Sequence, residues 1–549
     1  MEIIIRDIIP THIVEKPGFR NLILLLEPKY TMVSRQCLQY TPVPEKVQIV
    51  QQSIKDQLED VKSCSVTLDI WSSRRMHGYL GITCHFVSSN WQIKSFLLCC
   101  KQIKGRHTGD SISLEYESVT EEYGITTKVF KVITDNASNM IKAFGPMIHE
   151  LTIVNDDDDE DKSEETNEYS SSSEDDDTDE NDNSGDEDED STFVTNAFDS
   201  IPVHRGDRLS CFAHTLQLVV KDGLNNSKQM SSLLNKLSKL VNHIKKSTIA
   251  MERVEMQNKK GVIPKNDTRW NSQLKMVRRI LELNLEGVTD KKELQLSSHE
   301  KAILKSFVAI FEPFEIATDL LQGEKYSSVS MALPSYYGII QNVKKVQDTS
   351  RYNQQIITTL LQSLEKRLGH MERNSFYCIA ATLDPSFKLK WCTGSGEKVL
   401  TEEMVLREMR KNLDSDNAHH MPTVETSGKE VESAEPPSKK RKLFSFMDTD
   451  TSNTEDSLEG SIVEKEFKMY LDDTDFTQDE NPLKFWKMKA KKYPILSTIA
   501  KNMLGVPATS APIERVFSHS GNILRPNRCR LLPKNFEQLI YLKMNAGEL

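Results

Sequence analysis

An α/β layer followed by a long all-α stretch is the fold class this sequence predicts, and three observations predict it. Strand, strand, strand, helix and strand signals follow one another within about 75 residues from Ser63. From about Ser231 to Leu400 apolar residues recur at helical spacing, as in Leu233, Leu234, Leu237, Leu240 and Val241. Two polar, charge-dense stretches, about Asn155–Ser191 and Asn412–Ser461, interrupt these layers and hold too few apolar residues to order themselves.

The first 60 or so residues read as helical and compact, with apolar positions around Phe19, Leu22, Leu24 and Leu25. Pro28, Pro42 and Pro44 punctuate them, and a Gln/Lys-rich helix from Pro44 leads to the first strand. Ser63–Trp71 alternates, with Val66, Leu68 and Ile70 on one face and Thr67 and Asp69 on the other. Leu80–Val87 alternates again, and Trp91–Ile103 reads as a third strand. An amphipathic helix spans about Asp110–Tyr123, stopped by Gly124. The apolar run Lys128–Thr134 is a buried strand ending at Asp135. Order resumes at Arg208–Phe212 and enters a helix, and the last block, Asn481–Asn545, is helical with Gly505, Pro507, Gly521 and Pro533 as breaks.

Charge is distributed unevenly. The whole chain carries −11, yet the 35 residues from Asp156 to Asp190 hold 21 Asp/Glu and one Lys, a net of −20. The other 514 residues therefore carry +9, a mildly basic body with an acidic insert. No apolar run reaches the ~20 residues of a bilayer-spanning helix, and the N-terminus lacks the layout of a secretory signal. Nine cysteines without spacing rhythm point to reduced thiols inside the cell. A membrane or secreted role is excluded on this reading.

Asp69 near the end of the first strand and Asp135 after the fourth occupy the carboxyl ends of strands, where open α/β sheets place ligands. Two such carboxylates suit a two-metal phosphoryl-transfer site, although Asp after a strand is also ordinary turn chemistry. Cys211 and His214 form a C-x-x-H pair without the second pair that a structural zinc needs, so no structural zinc is expected. Arg269-Trp270 sets a phosphate-binding cation beside a ring that can stack on an unpaired base; a core anchor is the plainer role for the Trp. Lys439, Lys440, Arg441 and Lys442 form an isolated basic cluster after a Pro pair, as nuclear import signals do. Glu514 opens a helix in which Ser510 is a candidate cap, and Gly521 ends it. Phe536, Leu539, Ile540 and Met544 give the last helix a stripe for packing or dimerisation.

These motifs occur in an order that resembles the hAT (hobo–Activator) transposase superfamily, and most of all its zinc-finger BED-type descendants. The resemblance runs from Gly18-Phe19-Arg20 through Leu68-Asp69-Ile70-Trp71-Ser72-Ser73 and Thr134-Asp135-Asn136-Ala137-Ser138-Asn139. It continues through Cys211 to His214, Thr268-Arg269-Trp270-Asn271, Ala381 to Pro385, and Tyr493-Pro494 to Asn545. It implies an RNase H-like catalytic fold interrupted by a large helical insertion domain, with a C-terminal hAT dimerisation region. The implied divisions are a helical region at 1–61, the N-terminal portion of the RNase H-like fold at 62–154 and 192–225, and the disordered acidic insert at 155–191. A helical insertion at 226–411 and a polar linker with the basic cluster at 412–480 follow. The dimerisation region, which also carries the C-terminal portion of the RNase H-like fold, completes the chain at 481–549.

By motif match the family's catalytic and metal-binding carboxylates fall on Asp69, Asp135 and Glu514, with Mg²⁺ or Mn²⁺ as cofactor if the chain is active. Cys211 and His214 become active-site neighbours, and Arg269 and Trp270 DNA-binding residues at a hairpin end. Family members begin with a BED finger, and no C-x-x-C…H-x-x-x-H pattern occurs in this sequence. The expected function is a nuclear, DNA-binding, homodimeric or homo-oligomeric regulator of transcription or chromatin, whose acidic tract attracts histones or other basic proteins. The alternatives are an active transposase and a protein-interaction scaffold.

Overall fold

The computed structural model describes residues 2–73, 76–145, 207–258, 260–265, 270–416, 462–476, 480–524 and 531–548. The acidic insert, the basic cluster Lys439–Lys442 and Arg269 lie outside the described residues.

The chain opens with helices α1 (Glu2–Arg6), α2 (Pro17–Leu26), α3 (Arg35–Tyr40) and α4 (Pro42–Glu59). Pro42 sits in the first turn of α4, where its missing N–H costs nothing. Val43, Val50, Ile54 and Leu58 recur at heptad and i+4 spacing and are buried. The expectation of a compact start fails at α2, which buries no residue.

Five strands form one sheet: β1 (Cys64–Ser72), β2 (Gly78–Val87), β3 (Ile93–Ile103), β4 (Val129–Thr134) and β5 (Asp207–Ser210), in the order β3-β2-β1-β4-β5. β1–β2 and β2–β3 are antiparallel hairpin neighbours, whereas β1–β4 and β4–β5 are parallel. The sequence predicts no strand at 207–210, because four residues show no periodicity; pairing with β4 makes the segment a strand.

Val66 and Leu68 of β1 and Leu80, Ile82 and Cys84 of β2 face α4, α5 (Gly109–Glu122) and α6 (Ser138–Phe144) in one core cluster. Burying each of these side chains is worth about 1.5–3 kcal/mol. The opposite face is covered by the chain's last helices, which is why β2 is buried along its whole length.

After β5 the chain is helical: α7 (Phe212–Asn225), α8 (Lys228–Lys246), α9 (Thr248–Gln257), α10 (Trp270–Glu282), α11 (Ser298–Leu321), α12 (Ala332–Thr349), α13 (Gln354–Leu368), α14 (Ser375–Thr382) and α15 (Ser395–Asp416). Ser227, Ser247 and Ser297 cap α8, α9 and α11 by accepting a backbone N–H three residues on, and Glu300 completes a capping box with Ser297. Asp384, after α14, is fully buried and accepts a hydrogen bond from Ser330 Oγ at 2.9 Å.

α16 (Ile462–Asp472) lies within the stretch read as a polar linker. Val463, Phe467 and Tyr470 line one face of it and are buried, although its charged flanks hide this in the composition. Tyr470 packs against Phe485, Trp486 and Tyr493 of α17 (Pro482–Lys489) and the start of α18 (Pro494–Met503). The chain closes with α19 (Ala511–Ile523), which runs through Gly521 rather than ending there, and α20 (Pro533–Met544). Phe536 and Ile540 of α20 are buried in the chain's own core, so that stripe serves packing.

Candidate active site

β1 and β4 run parallel with Thr67 opposite Ile133. Continuing that register by two residues sets Asp69 level with Asp135 at the carboxyl ends of neighbouring strands. Asp69 lies on the face of β1 opposite Val66 and Leu68, the face that α19 covers. Its own strand pairs it with Gly81 of β2.

Gly81 gives α19 its seat. A Cβ at Gly81 would overlap the side chain of Ile513 and crowd Phe517. Phe517 stacks on Trp71 of β1 with ring centroids 6.0 Å apart. Ile513 and Phe517 flank Glu514 in the first two turns of α19, so this packing carries Glu514 toward the strand ends. The three carboxylates named from the sequence are thereby brought into one electrostatic neighbourhood. The Asp69 carboxyl is raised to about 7, first by burial and then by the charges of Asp135 and Glu514, against one opposing hydrogen bond from the Ile70 N–H.

Asp135 is held mainly through its backbone. Arg208 of β5, 4% exposed, donates from Nη2 to the Asp135 carbonyl at 2.9 Å and from Nε to Thr134 Oγ1 at 2.9 Å. The same guanidinium reaches Asn136 Oδ1, which also accepts from Ser210 Oγ at 2.7 Å. The Asp135 carboxylate accepts the Ala137 N–H at 3.2 Å. Sequence reading missed both Gly81 and Arg208, since only strand register puts either beside a carboxylate.

Cys211 joins the sheet to α19. Its sulfur caps α7, accepting the His214 N–H at 3.5 Å, and also accepts the Ser510 N–H at 3.2 Å. The Phe212 N–H adds a bond to the Ala508 carbonyl at 3.0 Å. Burial pushes the Cys211 thiol up to about 11, so it stays protonated and serves as an acceptor rather than a thiolate ligand. Ser510 occupies the cap position of α19, but its hydroxyl makes no capping bond and instead points to Glu514 Oε1 at 3.5 Å.

Glu514 also lines a cleft of about 220 Å³ together with His214, Gln217, Trp270, Asn271 and Arg515. Trp270 is half-buried at the start of α10, leaning on Phe311 and Phe314, so it both anchors the core and walls the cleft. The Asn271 Oδ1 beside it is buried without a hydrogen-bond partner. Arg515 is bound to Glu324 and the Gln322 carbonyl.

The donor set of Asp69, Asp135 and Glu514 is all oxygen, as Mg²⁺ or Mn²⁺ prefers, and no described Lys, Arg or His forms an ion pair with any of the three. As placed, no three His, Cys, Asp or Glu side chains among the described residues stand close enough to hold one ion. The chemistry fits a divalent cation, and the carboxylates would have to draw together to enclose it.

A mixed sheet with carboxylates at the ends of parallel strands, completed by a helix from the far end of the chain, defines the RNase H-like class. Comparison with known proteins agrees: residues 67–159 match the ZBED1 RNase-like domain and residues 209–305 the ZBED1 RNase-like helical domain. Residues 466–546 match the hAT family C-terminal dimerisation region, starting within α16. The chain is 21% identical to human zinc finger BED domain-containing protein 4 over 99% of its own length and 43% of that protein. It is 23% identical to the putative AC transposase of Zea mays over 97% of its length and 63% of the relative. It is 24% identical to the putative transcriptional regulator tpeD of Talaromyces stipitatus over 97% of its length and 60% of that protein. The chain thus spans about half the length of these curated relatives. Over nearly its whole length the chain is therefore similar to hAT transposases and to BED-type proteins. No helix among the described residues is long and apolar enough to cross a membrane.

Proposed function

We propose that this chain is a nuclear, self-associating DNA-binding protein of transposase descent that regulates transcription or chromatin. The observation that carries this reading is the cleft beside Glu514, where an indole ring, an imidazole and an unpartnered amide oxygen line a space of about 220 Å³. A single unpaired base fits such a space, and stacking on an indole is worth about 1–3 kcal/mol. The +9 of the chain outside residues 156–190 supplies the attraction for phosphate. The relatives' names, which include a putative transcriptional regulator and BED finger proteins, support a regulatory role.

The test is fluorescence anisotropy with hairpin-ended and fully paired DNA at low and moderate salt. Wild type should prefer the hairpin end, and Trp270→Ala should weaken that binding on the order of tenfold while leaving the paired duplex unchanged. Equal affinity of wild type for both DNAs would end the cleft reading. Nuclear entry is tested by replacing Lys439–Lys442 with alanine in a tagged chain, which should then remain in the cytoplasm.

The repulsion among Asp69, Asp135 and Glu514 favours a second reading, metal-dependent strand cleavage and transfer. Mg²⁺ or Mn²⁺ held by these three residues would neutralise charge on the attacking and leaving oxygens. The chain's own contribution is positional: Arg208 fixes the turn that bears Asp135, and Cys211 ties α19 to α7. Purified protein incubated with hairpin or terminal-repeat DNA and Mn²⁺ should nick it, and Asp135→Asn should not. Absence of nicking by wild type sinks this reading.

A further inference from the structure

Helix α10 begins at Trp270, in the wall of the cleft beside Glu514, and its far end meets a second cavity. Ile280 and Leu281 open there onto a space of about 560 Å³ within the helical insertion. That volume lies in the range of about 300–1,000 Å³ in which proteins take whole small molecules.

One wall is written into the sequence as an alternation. Leu281, Leu283 and Leu285 line the cavity and are half-buried, while Glu282, Asn284 and Glu286 between them are exposed. Period two is the spacing of an extended chain, which sends alternate side chains to one side. Leu296 adds a fourth half-buried leucine, and Leu240, Ile280, Val288 and Leu294 are the buried part of the lining.

This wall is anchored by polar side chains of α9 and the residue after it. Arg253 Nη1 donates to the Gly287 carbonyl at 2.9 Å, and Gln257 Nε2 to the Glu286 carbonyl at 3.1 Å. Asn258 makes a reciprocal pair with the backbone of Asn284, donating at 3.0 Å and accepting at 2.8 Å. None of the three anchoring residues lines the cavity, so the bonds fix the wall without filling the space. The chain turns at Gly287 with φ +68°, a conformation glycine adopts without strain.

Two cations complete the lining. Lys301 and Lys305 stand one turn apart on α11, both exposed. Neither ammonium forms an ion pair or hydrogen bond among the described residues, in contrast to Lys236, which binds Glu300 at 2.7 Å. Glu286 is the lining's single carboxylate, so the pair leaves a positive balance.

An occupant has to answer both features at once. A bare anion would pair with the lysines and leave four leucines half wet; a neutral hydrocarbon would do the reverse. We propose that this cavity binds a small amphipathic anion, an aliphatic chain that ends in a carboxylate or a phosphate. The chain covers Leu281, Leu283, Leu285 and Leu296, and the head pairs with Lys301 and Lys305. The site is separate from the three carboxylates and stands or falls without the DNA-binding reading.

The experiment is isothermal titration calorimetry on the full chain with dodecanoate, dodecyl phosphate and dodecyltrimethylammonium, each below its micelle-forming concentration. At least one anion should bind wild type at a single saturable site, and the stronger of the two names the head group. The cation, with the same tail, should bind on the order of tenfold more weakly or not at all. Lys301→Glu/Lys305→Glu should weaken anion binding on the order of tenfold and strengthen that of the cation. Both lysines are exposed, so this variant should keep its far-ultraviolet circular dichroism. Leu285→Trp, which fills part of the space, should weaken all three ligands. The proposal is overturned if neither anion binds, if the cation binds as well as the anions, or if the lysine variant binds them as wild type does. A short peptide of leucine and glutamate that binds where both anions fail also overturns it, and makes the cavity a groove for protein.

Discussion

Asp69 is a carboxyl whose surroundings disfavour its charge. The folded chain holds its proton to about pH 7, whereas the unfolded chain releases it near 3.8, so stability falls as pH rises through that window. Asp69→Asn should be more stable than wild type at pH 8 by about 2 kcal/mol, roughly half the full linkage value because water reaches one side of the group. The gain should vanish near pH 4, as urea unfolding at both pH values will report; an equal effect at both would contradict the assignment. Arg208 makes the opposite case, a buried cation held through Nε and Nη2 by backbone and side-chain oxygens. Arg208→Lys keeps the charge but loses the planar fork, and should cost about 2–3 kcal/mol in urea unfolding.

Residues of this kind were unequally legible. Asp69 and Asp135 follow from alternation, because a strand's end is visible in its periodicity. Glu514 stands 379 residues after Asp135, and no spacing rule links them; it emerged from the resemblance alone. Gly81 and Arg208 gain their roles from strand register and from β5, neither of which local pattern encodes.

At the level of elements, α19 is the component on which the site depends. Its seat is the shallow place left by Gly81, and Gly81→Ala should press on Ile513 and Phe517 at a cost of about 1–3 kcal/mol. Tryptophan fluorescence should report the change, since Trp71 stacks on Phe517. An unchanged unfolding midpoint and emission spectrum would mean that α19 sits elsewhere in solution. α16 offers a second test. Its composition reads as linker, yet Tyr470 is wholly buried and donates a hydrogen bond to the Thr382 carbonyl at 2.8 Å. Tyr470→Ala should cost about 3–5 kcal/mol in chemical denaturation, where a true linker position would cost almost nothing. The four main strands, by contrast, were legible from sequence, β1 and β2 by their alternation and β4 by its short apolar run.

For the whole molecule, the decisive quantity is charge. Removing residues 156–190 changes the net from −11 to +9. That variant should bind duplex DNA on the order of tenfold more tightly at low salt and lose the advantage as salt rises. Unchanged affinity across the titration would mean that the acidic run does not act on the DNA-facing surface. The same scale explains why the fold class was readable and its assembly was not. Layers announce themselves through periodicity, but the joining of β5, and of α19 and α20 hundreds of residues later, to a sheet begun at Cys64 is a matter of tertiary contact.

That late joining also has a consequence in time. Synthesis at about 5–20 residues per second leaves roughly 20–75 s between the emergence of Asp135 and that of Glu514, 379 residues later. Through that interval the nascent chain has two of its three carboxylates and an uncovered sheet face. A product released early at any point before α19 is therefore incomplete at the candidate site, so only a chain translated past α19 carries all three.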